Sequence, residues 1–509
     1  MVMNRRELLQ WMGGACSALA LSRFAAAQSA PGTSFAGTRH SLQGYRIPDW
    51  YRDAKFGIWS HWGPQSAIED GDWYARNMYI QGQEQYNYHL EHYGHPSKVG
   101  YKDLVDNWKA AKWEPDHLMS LYKKAGAKYF VSMGVHHDNF DLWDSKYTRW
   151  NAVKMGPRKD IVGIWRNAAQ KQGLRFGVSE HLWISYKWWA VSHGADKTGP
   201  LAGVPYDGVD PKFEDLYHDA DCARFVDKFD WNDDGIPESW KRHYLDRMTD
   251  LIDKYQPDFL YTDGHLPFED YGLKMVAHLY NVSAQLHGGV AEAVYTSKEE
   301  TDCAIGTCLL DHERGVAEGI SKEPWQTDTC IGQWHYKRGQ VYKTPKKVID
   351  LLVDIVSKNG NLLLNFPLPN SGELDAEEVK VLDGITAWMA INSEGIYSTR
   401  PWKIYGEGPS TKTKVETGNF NEDKQKDLTA EDVRFTTKGN VLYAFVMGWP
   451  ENEGVIKALG DDFQQKIRKV EMLGCPGEVK WWQESTGLKV AMPFEKISDV
   501  GFTLKVELA

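Results

Sequence analysis

Five groups of ionisable residues recur along the first two thirds of the chain: His61-Trp62, His136-His137-Asp138, Glu180-His181, Asp263 and Asp311-His312-Glu313. Each follows a short apolar run. Asp263 is the sharpest case, because Phe259-Leu-Tyr261 reads as a buried strand that gives way to Thr262, Asp263 and Gly264. A carboxylate at the carboxyl end of a buried parallel strand is where a (β/α) barrel holds its reactive groups. Alone, Asp263 could equally cap a helix or open a turn. A helix–sheet scaffold has no structural reason to repeat polar clusters at one end of its strands, so together they mark an active rim.

Aspartate and glutamate among histidine and tryptophan suit glycoside hydrolysis. That reaction needs one ionised carboxylate, as nucleophile or base, and one protonated carboxyl as acid. Histidines would bind hydroxyl groups, and aromatic faces would meet the C–H surface of a sugar ring. A hydrolytic zinc site also uses His and Asp at strand ends. Here His136 and His137 are adjacent and should diverge across a strand, and neither H-x-H nor H-E-x-x-H occurs, so no catalytic metal is assigned. A structural calcium ion has one candidate site. Asp230, Asn232 and Asp234 alternate before Gly235 as in the first half of a calcium loop, but Lys241 stands where the bidentate Glu belongs. The alternative is a solvated acidic turn ahead of a helix over 237–255.

The elements that must position these groups alternate between short apolar strands and longer helical stretches. Strands are expected at 55–59, 127–133, 174–178, 259–261, 293–295, 305–310 and 361–365, with helices near 103–126, 160–172, 237–255, 270–287 and 345–358. Such alternation predicts a parallel sheet with helical crossovers, and over residues 44–400 it suits an α/β, (β/α)8-like TIM barrel. No G-x-G-x-x-G follows a strand, which argues against a dinucleotide fold. Beyond Trp388 the pattern changes to short period-two segments, predicting a C-terminal antiparallel β-sandwich over 401–509. Its simplest role is to cover the side of the barrel.

Bulk properties narrow the partners. The 509 residues carry a net charge of -11 and no basic stripe, which excludes nucleic-acid binding. Residues 1–27 read as an export signal, with Arg5-Arg6 ahead of an apolar stretch and Phe24-Ala-Ala-Ala27 at its end; the paired arginines suggest the twin-arginine route and a periplasmic or secreted bacterial protein. Residues 28–43 form a leader. No other apolar run approaches the roughly 18 residues of a membrane span. Of the remaining cysteines, Cys222, Cys303, Cys308, Cys330 and Cys475, free thiols are the default, with room for one disulfide.

Longer runs carry a resemblance. Lys55-Phe-Gly-Ile-Trp-Ser-His61-Trp62-Gly63, Asp72-Trp73-Tyr74, Val135-His136-His137-Asp138, Tyr261-Thr-Asp263-Gly264, Pro324-Trp325-Gln326 and Ser357-Lys-Asn-Gly-Asn-Leu-Leu-Leu-Asn365 resemble, in order, the landmarks of glycoside hydrolase family 29, the retaining α-L-fucosidases. The resemblance implies the barrel and β-sandwich, a fucosylated glycan substrate and no required cofactor. It implies that Asp263 is the nucleophile and that Glu313, twelve residues before Trp325, is the acid/base, with Glu180 as the alternative. It places His61, His136 and His137 on fucose hydroxyls and Trp73, Tyr74, Tyr261 and Trp325 around the sugar. Arg314 beside Glu313 would make that carboxyl too acidic unless it points away. The chain departs from the family pattern at Asp72, Tyr261 and Gln326, which leaves open an α-L-galactosidase or other related glycosidase, or an inactive sugar-binding protein.

Overall fold

Eight parallel strands close into a barrel in chain order: β1 Phe56–Ser60, β2 Tyr129–Val135, β3 Arg175–Glu180, β4 Phe259–Thr262, β5 Val294–Ser297, β6 Leu309–Glu313, β7 Trp325–Cys330 and β8 Gly360–Asn365. The computed structural model describes residues 34–304, 306–412 and 418–509; the expected export signal, residues 1–27, lies outside them. Crossover helices are α1 Pro115–Lys124, α2 Ile161–Lys171, α3 Glu238–Tyr255, α4 Asp270–Leu286, the short α5 Glu300–Cys303, and α6 Pro345–Ser357; α7 Ala376–Asn392 follows β8. The expected strand set lacked β7, whose Trp-Gln-Thr-Asp-Thr-Cys sequence is too polar to read as buried. Most of the other strands run further than their apolar residues suggest. β5 continues to Ser297 and β6 to Glu313.

Strand alternation sorts the side chains into two layers. Trp59, Tyr129, Val131, Phe259, Tyr261, Val294, Leu309 and Leu363 fill the barrel interior as one cluster, while Ile58, Phe130, Val178, Leu260 and Leu364 face the helices. Close packing inside leaves β1 no room for a side chain at Gly57, where a Cβ would lie 2.3 Å from the Tyr129 ring. The interior is therefore a plug, and a cavity opens above it, at the carboxyl ends of the strands.

The C-terminal part is a sandwich of two antiparallel sheets. Five strands run in the order β13 (Ile467–Met472), β16 (Phe502–Leu508), β11 (Val441–Val446), β10 (Val433–Lys438) and β9 (Arg400–Glu407); three run β12 (Glu453–Ile456), β15 (Gly487–Ala491) and β14 (Trp481–Glu484). Phe435, Leu442, Ile456, Leu488, Val490 and Leu504 form their shared core. A buried ion pair bolts the sandwich to the barrel: Arg434 Nε of β10 lies 2.6 Å from Asp354 Oδ1 of α6. Cys303 and Cys308 form a disulfide, and Cys222, Cys330 and Cys475 are free.

Candidate active site

A cavity of about 530 Å³ opens above the barrel plug, with Asp263, Glu313, Lys298, His61, His136 and Trp73 among its walls. β4 ends at Thr262, which points outward, so the next residue turns inward and Asp263 enters the cavity. Its Oδ2 lies 3.3 Å from His137 Nε2 and 3.1 Å from His181 Nδ1, and its Oδ1 touches Lys298 Nζ. The Trp183 indole N–H donates to its backbone carbonyl at 2.6 Å, fixing the turn. Burial works to raise the Asp263 pKa, but Lys298 and the two imidazoles outweigh it and hold the carboxyl well below the ordinary range. Asp263 is therefore ionised at any physiological pH.

Lys298 follows β5 and is the group the strand reading missed, because the apolar run ends at Tyr295 and Thr296-Ser297 carry the strand two residues further. Its buried Nζ also lies 2.5 Å from Glu313 Oε2. Two carboxylates that touch the same nitrogen have oxygens no more than about 5 Å apart, the spacing of a retaining pair. Burial would depress the Lys298 ammonium, yet Asp263, Glu313, Asp328 and Asp311 together push its pKa well above the usual lysine value.

Glu313 ends β6 and behaves differently from Asp263. Burial raises its pKa, Lys298 pulls it back, and the charges of Asp263 and Asp328 raise it again, to about 7. It is thus partly protonated near neutrality, as a general acid must be. Arg314 does point away: its Nε pairs with Glu422 at 2.8 Å and its Nη2 with Asp423 at 3.1 Å. Below the pair lie the buried carboxyls of Asp311 and Asp328; burial pushes Asp311 up to about 6, and burial with the Asp311 charge pushes Asp328 well above the usual carboxylate range. Tyr261 donates its hydroxyl to Asp328 Oδ2 at 3.1 Å and forms the cavity floor.

Opposite these acids stand the histidines. His61 accepts support from Asn365, whose Oδ1 lies 2.7 Å from its backbone nitrogen and 3.2 Å from Nδ1. His136 Nδ1 lies 2.9 Å from Gln65 Nε2. Burial and neighbouring imidazoles hold His61 and His136 well below the usual histidine pKa, and burial lowers His181 to about 4 against the pull of Asp263. Neutral imidazoles donate with one nitrogen and accept with the other, which matches sugar hydroxyls. Ring nitrogens of His61, His136 and His181 lie within 4.8 Å of one another and are close enough to hold a metal ion. Trp334 tilts over His61 at 4.9 Å between ring centres, and Trp73, in the left-handed conformation at φ 61°, sets its edge against His137 at 5.8 Å.

His137, expected on a sugar hydroxyl, instead turns Nδ1 to the His181 carbonyl at 2.6 Å and Nε2 to Asp263 at 3.3 Å. Three further expected site residues stand elsewhere. Glu180 is the outward residue of β3. Its Oε1 accepts from Tyr244 and Thr262 hydroxyls at 2.8 and 2.7 Å and its Oε2 from the Leu182 N–H at 2.9 Å, in the layer between barrel and α3. His181, one residue on, takes the inward place. Tyr74 is buried against His89, with 2.8 Å between its hydroxyl and Nδ1. Trp325 opens β7 at the far end of the barrel and donates its indole N–H to the Lys358 carbonyl. At the acidic turn, the buried Lys187 ammonium already meets Asp230 Oδ1 at 2.6 Å and Asn232 Oδ1 at 2.8 Å. Lys298, Asp328, Trp183, Trp231, Trp334 and Phe420 join the cavity without having been expected there.

Comparisons with known proteins agree with the barrel and the C-terminal sandwich. Residues 22–394 match the family model described as alpha-L-fucosidase, and residues 425–507 match that described as the alpha-L-fucosidase C-terminal domain. Tissue alpha-L-fucosidase of Homo sapiens is 26% identical over 466 residues, covering 89% of this chain and 86% of that protein. Alpha-L-fucosidase of Branchiostoma floridae is 26% identical over 477 residues, covering 90% and 92%. The crystal structure of Thermotoga maritima alpha-fucosidase in complex with fucose shares the fold with a TM-score of 0.68 at 24% identity, over 93% of this chain and 100% of that one.

Proposed function

This chain belongs to the alpha-L-fucosidase family, and on that premise we propose that it removes terminal α-L-fucose from glycans with retention of configuration. Asp263 attacks the anomeric carbon and forms a covalent glycosyl-enzyme, while Glu313 gives its proton to the departing oxygen. Glu313, now a carboxylate, then takes a proton from the water that releases the sugar. One observation carries the reading: Lys298 touches both carboxylates, yet their surroundings drive the two pKa values apart, Asp263 far down and Glu313 to about 7. That is the division of labour a retaining pair needs.

His61, His136 and Trp73 hold the fucose ring in this reading, and His137 and His181 brace the nucleophile. The histidine nitrogens serve hydroxyl groups, and we propose that no metal is required. The chain is read as exported. The Cys303–Cys308 disulfide supports that, since such bonds persist in oxidising compartments, and no described helix is long and apolar enough to cross a membrane. Residues 44–400 are taken as the catalytic unit and 401–509 as its buttress.

The test is turnover of an aryl α-L-fucoside. Activity should vanish in Asp263→Ala and return with added azide, giving the β-fucosyl azide. Undiminished turnover in that variant would sink the assignment.

A further inference from the structure

Two aromatic side chains stand open at the cavity mouth. Trp231 is 48% exposed and Phe420 61%, although both line the cavity that holds Asp263 and Glu313. They reach the cavity from different parts of the rim. The Trp231 ring packs 5.7 Å from His137, which follows β2, and Phe420 hangs from Glu313, the last residue of β6. In a closed ring of eight strands, β2 and β6 face each other.

Trp231 is packed in place, and the backbone that carries Phe420 is tied down. Trp231 is presented by the acidic turn, where Lys187 Nζ clamps the residues on either side of it, Asp230 and Asn232. Asp233 Oδ2 accepts the Phe268 N–H at 3.0 Å, tying the turn to the loop after β4. The indole then leans on Trp73 and Phe229, with ring centres 5.6 and 5.3 Å away. Phe420 has φ 56°, a left-handed conformation that a phenylalanine rarely adopts. Its N–H donates to the Glu313 carbonyl at 2.7 Å, and the neighbouring Asn419 Oδ1 accepts the Glu313 N–H at 3.0 Å. Glu422, buried two residues on, accepts from Arg314 at 2.8 Å and Thr329 at 2.7 Å. Strain of this kind persists where surrounding bonds over-determine it, and it collects at ligand clamps.

We propose that Trp231 and Phe420 form the subsite for the leaving sugar: two flat faces that hold the pyranose ring on the far side of the scissile bond. The inference rests on the glycosidase reading above. Glu313 must protonate the oxygen of the leaving sugar, so that sugar has to lie beside Glu313, and Phe420 is bonded to the backbone of that residue. Galactose and N-acetylglucosamine rings each offer an apolar C–H face to an aromatic ring. The subsite therefore orients the leaving ring without requiring charge on it. The acidic turn resembling half a calcium loop gains a role as the mount for Trp231.

Two kinds of donor separate the claims. α-L-Fucosyl fluoride has no ring in its leaving group; α-L-fucosyl disaccharides with galactose or N-acetylglucosamine as the leaving sugar, in the 1→2, 1→3, 1→4 and 1→6 linkages, do. Trp231→Ala and Phe420→Ala should each lower kcat/KM on the best disaccharide at least 10-fold more than on the fluoride, mainly through KM. Trp231→Phe should recover part of the loss, and Lys187→Met should reproduce the Trp231→Ala split. Equal losses on both donors, or cleavage of the fluoride with none of the disaccharides, overturns the platform. If the wild-type protein cleaves neither, the glycosidase reading itself falls.

Discussion

Lys298 Nζ stands 2.5 Å from Glu313 Oε2, and the same ammonium touches Asp263. One buried cation thus serves two carboxylates that end in opposite states. Asp263 has two imidazoles at its other oxygen and keeps its charge. Among the described residues Glu313 pairs with no second cation and faces the charges of Asp263 and Asp328 instead. The asymmetry comes from what surrounds each acid beyond the shared lysine, and it is the source of the pH behaviour expected of the enzyme.

The acid must be protonated in the free enzyme, so kcat/KM should be level below about pH 7 and fall as pH rises through about 7. Asp263 sets the acidic limb, well below the usual carboxylate value of 3.8. Glu313→Gln should remove the basic limb and lower kcat/KM on a glycan by roughly 10²- to 10⁴-fold, with a much smaller loss on fucosyl fluoride, whose leaving group needs no proton. A basic limb that survives in Glu313→Gln would take the acid role away from this residue.

Lys298→Met tests the shared cation. Removing a positive charge makes both carboxyls easier to protonate, so both limbs of the kcat/KM profile should move to higher pH. Asp263 keeps its two imidazoles and should stay ionised at neutral pH. The rate at the optimum should fall, since Lys298 holds both reacting groups in place. A basic limb that moves down instead would show that Lys298 does not act on Glu313.

How much of this was legible follows from where the polar residues fall. The barrel and the candidacy of Asp263 and Glu313 could be read because apolar runs end abruptly at charged residues. Lys298 could not, because β5 continues through Thr296 and Ser297, whose polar side chains are buried at the top of the barrel. β7 was missed for the same reason: Gln326 gives its amide to Asp311 at 2.7 Å, and Asp328 serves the cavity floor. Trp325 was placed around the sugar by the family resemblance, whereas it begins β7 at the far end of the barrel. Period-two counting would have separated Glu180 from His181 and Thr262 from Asp263, since successive strand residues face opposite sides. Nothing local marks Phe420, which reaches Glu313 from beyond the barrel.

A metal-free reaction makes a separate prediction. The His61, His136 and His181 nitrogens could hold an ion, whereas hydrolysis through two carboxyls requires none. Dialysis against a chelator should leave kcat/KM on an aryl fucoside unchanged, and zinc should inhibit by competing with the sugar for the imidazoles. Loss of activity on chelation, restored by a divalent ion, would assign those histidines to a metal.

Glu180 offers the cleanest contrast with Glu313, because burial raises both to about 7 and only one faces the cavity. Glu180→Ala strands the hydroxyls of Tyr244 and Thr262 and the Leu182 N–H, three buried donors, at a cost on the order of 3 kcal/mol. The basic limb near pH 7 should stay. Stability carries a second signature. The folded protein holds the Glu180 proton more tightly than a chain with the ordinary value of 4.5, so this group favours folding most below about pH 4.5 and that contribution is lost as pH rises to about 7. Glu180→Gln cannot ionise, and its unfolding free energy should decline less across that interval in urea titrations. If Glu180→Gln instead abolished the basic limb in a stably folded protein, the acid would be Glu180 and the cavity assignment of Glu313 would be wrong.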